Sequence, residues 1–385
     1  MAIYLDHHAT TPCDPRVVEA MLPFFTEHFG NPSGAVHSHG KTAEQAVEKA
    51  RGQVASLLGA SPNEIAFTAG ATESNNLAIL GVVKAYRGSR RRIVTTTLEH
   101  KAILEPFKHL EKEGFEVCHI PANANGLLNL EVARDLINDQ TLLVSVQLAN
   151  NEMGTIQPLE AIAALAHQNG AAVHTDAAQA VGKIPVNVEA LGIDLLSLSG
   201  HKFYAPKGIG ALYVRGGVST KRIAPLMLGG GQEHSVRNGT LNVPAIVGLG
   251  AACEMAQQEM NQDAQRLAQL RDQFEQTLLL NLEGLRINGN NAPRLSGSSS
   301  LTFLGLDADA LLIRLPELSL STGSACTSGA IEPSHVLTAL GLSREDANAT
   351  IRVGIGRFNT QTEIEQATQQ ITQAVLELRQ LYASL

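Results

Sequence analysis

At 385 residues, with 44% hydrophobic and 17% charged side chains, the chain has the size and composition of a globular protein with a large core and two or three domains. A net charge of −8, with Arg90-Arg91-Arg92 as the one basic run, argues against a nucleic-acid surface. No stretch approaches the ~18 unbroken apolar residues that span a bilayer, no basic-then-apolar leader opens the chain, and Cys13, Cys118, Cys253 and Cys326 stand far apart, so a soluble, cytoplasmic protein without a membrane partner, disulfide framework or Cys-rich zinc site is expected.

In chain order, Asp6-His7-His8 lies in an extended run, where adjacent side chains point to opposite faces, so no metal site is expected there. Asp14 followed by Pro15 starts a helix that Gly30 closes. From about residue 15 to 257, apolar strands at 64–68, 92–97, 115–120, 141–148, 171–175, 194–198 and 209–214 alternate with helices such as 71–86, 101–113 and 158–169. That alternation predicts an α/β fold with a mostly parallel sheet covered on both faces. A helix near 245–258 is followed by a polar, Gln-rich helix near 258–281, strands near 285–288, 298–304 and 318–321, and a helix near 307–314, which reads as a smaller α+β domain. The Asn-, Gly- and Ser-rich stretch 288–300 reads as a surface loop. A last helix opens at Thr360 with Glu363 completing a capping box, and its apolar stripe is Ile364, Ala367, Ile371, Ala374, Leu378 and Leu381.

The chemistry concentrates in a few turns. Lys202, in Gly200-His201-Lys202, falls between the strands 194–198 and 209–214, where a charged amine is costly to keep, so burial should lower its pKa and free it as a nucleophile. Twenty-six positions earlier, AAVHTDAAQAVG delivers Asp176 and Gln179 from the end of another strand. A lysine for the aldehyde and an acid for the pyridine nitrogen are what pyridoxal 5'-phosphate (PLP) requires. In FTAGATESNN a strand passes through Gly70 into a helix, so the amides of Ala71 and Thr72 and the Thr72 hydroxyl offer a phosphate site. His100 falls at the carboxyl end of the strand 92–97, where open α/β sheets gather ligands. Asn151 and Gln179 are neutral amides suited either to turn chemistry or to donating to a cofactor oxygen. Cys326 sits in LSTGSACTSGAIEP, a run of small residues unsuited to a core, and is expected to act as a nucleophile on a flexible loop over about 321–332. Cys13, Cys118 and Cys253 read as structural.

With TAGATESNN, TLEHKAI, LANNEMG, HTDAAQAVG, SGHKFYAPKGIGALYVR and GSACTSGAIEPSHVL in this order, between YLDHHATTP and IRVGIGRF, nearly the whole chain resembles cysteine desulfurases of the NifS/IscS type. The resemblance implies a fold-type-I PLP enzyme with a large cofactor domain over 15–257 and a small domain made of 1–14 and 258–385. It further implies a homodimer with composite sites. His100 would stack on the cofactor and transfer protons, Ser199 and His201 would contact its phosphate, and Thr240 would reach in from a second subunit. Arg352 resembles the arginine that clamps the substrate carboxylate, with Arg357 as its rival. The implied reaction converts L-cysteine to L-alanine and leaves the sulfur on Cys326 as a persulfide, for an acceptor such as an iron–sulfur scaffold protein or for tRNA thiolation. The family more often carries Asn-Ala where His7-His8 stands. Two alternatives are an aminotransferase of the same fold, which needs no such cysteine, and a non-catalytic cluster scaffold, which would show grouped Cys or His ligands.

Overall fold

A computed structural model describes residues 2–34, 36–322 and 332–384. Its strands, in chain order, are β1 (Ile3–Tyr4), β2 (Ile65–Thr68), β3 (Arg92–Thr96), β4 (Glu116–Ile120), β5 (Thr141–Ser145), β6 (Ala172–Asp176), β7 (Leu195–Ser199), β8 (Gly210–Val214), β9 (Leu285–Ile287), β10 (Ser298–Phe303), β11 (Leu318–Ser319), β12 (Ser321–Thr322) and β13 (Thr350–Gly354). A seven-stranded sheet runs β2-β8-β7-β6-β5-β3-β4, in which β8 alone is antiparallel to its neighbours. The mostly parallel sheet expected from the alternating pattern is therefore present, and β2, β3, β5, β6 and β7 all end at the same edge.

Alternate residues of each strand feed two cores, as a sheet covered on both faces requires. On one face Phe67, Val94, Val144, Val173, Leu196 and Leu198 pack against the helix Ser38–Leu58 and the start of the helix Val243–Asn281. On the other, Ala66, Ile93, Leu143, Leu195 and Leu212 meet Leu77, Ile79, Ile103 and Phe107 of the helices Ala71–Ala85 and Lys101–Lys112. A third core gathers Ile3, Leu5, Phe274, Leu301, Phe303, Ile351, Val353 and Ile371 around the antiparallel sheet β12-β13-β10-β9. β1 pairs in parallel with β11, so the amino terminus joins this third core.

Several expectations need correction. The helices expected at 245–258 and 258–281 are one helix, Val243–Asn281. β5 stops at Ser145, so Asn151 lies in a turn closed by the Ala149–Ile156 bridge and not directly at a strand end. The helix begun at Pro15 breaks after Met21 and resumes over Pro23–Thr26. Gly30 serves a close chain crossing, because a Cβ there would stand 2.1 Å from the His39 carbonyl oxygen. The stretch 288–300 is not a free surface loop: Asn288 is buried and donates to Ser300 Oγ and Thr302 Oγ1, and Arg294 pairs with the buried Glu275. Strand 318–321 divides into β11 and β12, which belong to different sheets. Leu381 is exposed although the rest of its stripe is buried. Among the described residues no helix is long and apolar enough to cross a membrane.

Candidate active site

At the shared carboxyl edge of β2, β3, β5, β6 and β7 lies a cavity of about 770 Å³. Ala71, Thr72, His100, Asn151, Asp176, Gln179, Ser199, His201, Lys202 and Arg352 all line it. The structure thus brings together ten residues expected from six separate segments. The cavity is also roomy enough for an aromatic cofactor with an amino acid beside it.

Each wall has a local cause. Ser199 ends β7, and Gly200–Lys202 forms a 3₁₀ turn that turns Lys202 toward the cavity. Lys202 is half-buried, and its Nζ donates to the carbonyl oxygens of His8 and Ala9, each at 2.8 Å. Asp176 ends β6 and is buried; one carboxylate oxygen accepts from Asn75 Nδ2 at 2.7 Å and the other from the Ala178 amide at 2.9 Å.

His100 caps the helix Lys101–Lys112, its Nδ1 accepting from the Ala102 amide at 3.1 Å. A neutral imidazole held this way carries its proton on Nε2. Burial lowers the His100 pKa, and the charge of Asp176 acts against that. His201 Nδ1 is 3.0 Å from Thr10 Oγ1, and burial with the Lys202 charge pushes its pKa down to about 4.

The helix Ala71–Ala85 begins at Gly70, whose φ of +150° strains any other residue. A Cβ there would face Ser199 Oγ at 3.5 Å, in the space that the helix amino terminus shares with β7. The first-turn amides have no intrahelical acceptors and are the groups an anion takes up. Glu73, in the same turn, is neutralised by Arg237 at 2.8 Å. Taken together, the Lys202 amine, the Asp176 carboxylate and this glycine-lined amino terminus fit the aldehyde, pyridine nitrogen and phosphate of PLP.

Arg352, on β13, is 2% exposed; its Nη1 donates to the Asn151 carbonyl and its Nη2 to Asp6 Oδ1, at 3.1 and 2.9 Å. Its Nε is buried and has no hydrogen-bond partner among the described residues. The rival Arg357 is committed elsewhere, paired with Asp14 and Asp263 and stacked on Tyr204. Thr240 is exposed and does not line the cavity of its own chain. Cys326 lies outside the described residues. The described residues flanking its segment are both anchored beside the cavity: Ser321 and Thr322 pair with Arg352 and Ile351, while Ser334 Oγ donates to the buried Glu152 at 2.6 Å.

Cys118 lies within the edge strand β4 and is half-buried. Burial raises the thiol pKa of Cys13, Cys118 and Cys253, so none of these is an activated thiolate. Among the described residues no group of three or more His, Cys, Asp and Glu is placed to hold a metal. His8, Thr10, Asn75 and Gln147 also line the cavity and were not anticipated. Asn75 was the most accessible from sequence, since it follows Ala71 by one helical repeat and shares its face.

This architecture, an anchoring lysine and an aspartate at the carboxyl edge of a mostly parallel sheet, is that of fold-type-I PLP enzymes. Aminotransferase class-V matches residues 3–367, and the chain belongs to that family. It is 48% identical to the cysteine desulfurase IscS of Rickettsia bellii over 381 residues, covering 99% of this chain and 93% of that protein. A solved NifS-like protein is 38% identical with a TM-score of 0.90, covering 98% of this chain and all of the other. The structure of SspA in complex with cysteine is 38% identical with a TM-score of 0.82, covering 93% and 99%.

Proposed function

We propose that the chain is a PLP-dependent cysteine desulfurase that converts L-cysteine to L-alanine and passes the sulfur on through Cys326. The observation that carries the reading is the convergence of Lys202, Asp176, His100 and Arg352 on one cavity, beside which both flanks of the Cys326 segment are anchored.

When bound, PLP supplies an electron sink for the substrate's Cα. Lys202 would anchor it through its amine, Asp176 would pair with its ring nitrogen, and the amides of Ala71 and Thr72 with Ser199 and His201 would take its phosphate. Arg352 offers a fixed guanidinium to the cysteine carboxylate, a planar match that a lysine lacks. Its partners Asp6 and the Asn151 carbonyl hold that fork in place. His100, with its proton on Nε2, meets the substrate as a donor, and Lys202 is the amine available to move the Cα proton. The Cys326 thiolate attacks the substrate sulfur: an S–S bond forms, the C–S bond breaks, and the carbon skeleton takes up a proton and leaves as alanine.

The reading extends to a cytoplasmic homodimer. Leu22, Phe25, Phe29, Val36, Met227 and Leu228 are at least half exposed, which supports an interface covering them. Thr240, exposed and away from its own cavity, would then serve the partner's site. The division into 15–257 and 1–14 with 258–385 is supported by the separate third core, although one helix crosses position 257. A sulfur-acceptor protein completes the reaction.

The test is a pair of variants. Cys326→Ser should stay yellow with PLP and lose sulfide release from cysteine plus reductant, while Lys202→Ala should lose the borohydride-fixable chromophore. Normal sulfide release by Cys326→Ser would overturn the desulfurase reading and favour an aminotransferase.

A further inference from the structure

We propose that His8 and Lys183 are positioning residues for Gln179, which together turn its amide so that an N–H, and not the carbonyl, is offered to the phenolic oxygen of PLP. The inference rests on the reading of the cavity as a PLP site.

Gln179 is 5% exposed, and its two ends have opposite partners. Its Nε2 donates to the His8 carbonyl oxygen at 2.8 Å, a group that only accepts. Its Oε1 accepts from Lys183 Nζ at 2.7 Å, a group that donates whether it is charged or neutral. A flipped amide would set carbonyl against carbonyl and NH₂ against the lysine amine, so these two contacts fix the orientation between them.

His8 Nδ1 stands 3.3 Å from the same Oε1 and must therefore carry a proton to reach it. Burial, with the charges of Lys183 and Arg352 nearby, pushes the His8 pKa well below the usual histidine range, so the ring is neutral and its lone pair lies on Nε2. Burial and the charges of Lys202 and Arg352 push Lys183 down to about 7. Gln179 Nε2 has two hydrogens and spends one on His8. The second remains for the cavity that Gln179 lines.

The test uses full-length, PLP-loaded protein at one pH and reads the visible absorption maximum of bound PLP and its dissociation constant. Gln179→Leu defines the loss of the donor. Lys183→Met, which removes the shorter of the two donors to Oε1, should move the maximum in the direction that Gln179→Leu moves it and weaken PLP binding about tenfold, the order expected for one lost buried hydrogen bond, and His8→Ala, which keeps the His8 carbonyl and loses only the 3.3 Å contact, should move both readouts the same way by less. His8→Asn, whose side-chain amide replaces the Nδ1–H, should restore both readouts. Wild-type spectra in His8→Ala and Lys183→Met, or a His8→Asn protein as shifted as His8→Ala, would overturn the inference. Should Lys183→Met not fold, the two His8 variants decide alone. Failure of the underlying site reading looks different, since wild-type protein would then take up no PLP.

Discussion

Asp176 and Asn75 show how much of the site depends on one side chain holding another. Asp176 would serve a pyridine nitrogen from a buried position in the cavity wall, and Asn75 Nδ2 at 2.7 Å provides one of its two donors. A hydrogen bond to a charged group contributes about 1.5–3 kcal/mol. Asn75→Ala should therefore weaken PLP retention roughly 10- to 100-fold while leaving Lys202 able to react, as measured by fluorescence titration of the apoprotein with PLP. Wild-type affinity in that variant would mean that the Ala178 amide alone suffices for Asp176. The same scale explains what sequence reasoning could reach. Lys202 and His100 stand in turns that follow apolar strands and Asp176 ends one, so their address was readable; the Asn75–Asp176 contact spans 101 positions and only the sheet order creates it.

Among the elements, helices were legible where their caps were written in side chains. Thr360 and Glu363 form the capping box their spacing predicted, with Glu363 Oε2 accepting from the Thr360 amide at 2.8 Å. Thr360→Ala should lower stability by about 1 kcal/mol, read as a shifted denaturant midpoint at unchanged slope. The fused helix Val243–Asn281 failed for the opposite reason. It has an Asn242 cap and Pro244 at its start, but nothing near 257 stops it. Its Ile246, Leu249 and Cys253 enter one core and its Leu270, Phe274 and Leu278 another, so the buried stripe changes partner in mid-helix. A shift of apolar texture looked like a boundary although the backbone had no reason to break. The loop at 288–300 was misread in the same way: its polar composition satisfies buried partners such as Thr302 and Glu275, which composition alone does not reveal.

For the whole molecule, groups buried in the wrong charge state set the pH range. His174 is pushed down to about 3 and His7 to about 4 from an ordinary 6.5, both chiefly by burial. The unfolded chain binds those protons first, so stability is lost as pH falls below about 6.5. Glu99 behaves oppositely. Burial raises it from 4.5 to about 8, although Thr96 Oγ1 and the Gln147 amide donate to one of its oxygens. Its other oxygen is buried and has no hydrogen-bond partner among the described residues. The folded state thus holds a proton that the unfolded state has released, and stability falls as pH rises from about 4.5 to about 8, by roughly 1.4 kcal/mol per unit crossed. Glu99→Gln removes the titration and keeps an acceptor for both donors. Its melting temperature should gain on wild type steadily between about pH 5 and 8 and hold a constant lead above that; a difference that does not change with pH would show that Glu99 is ionised in the folded protein.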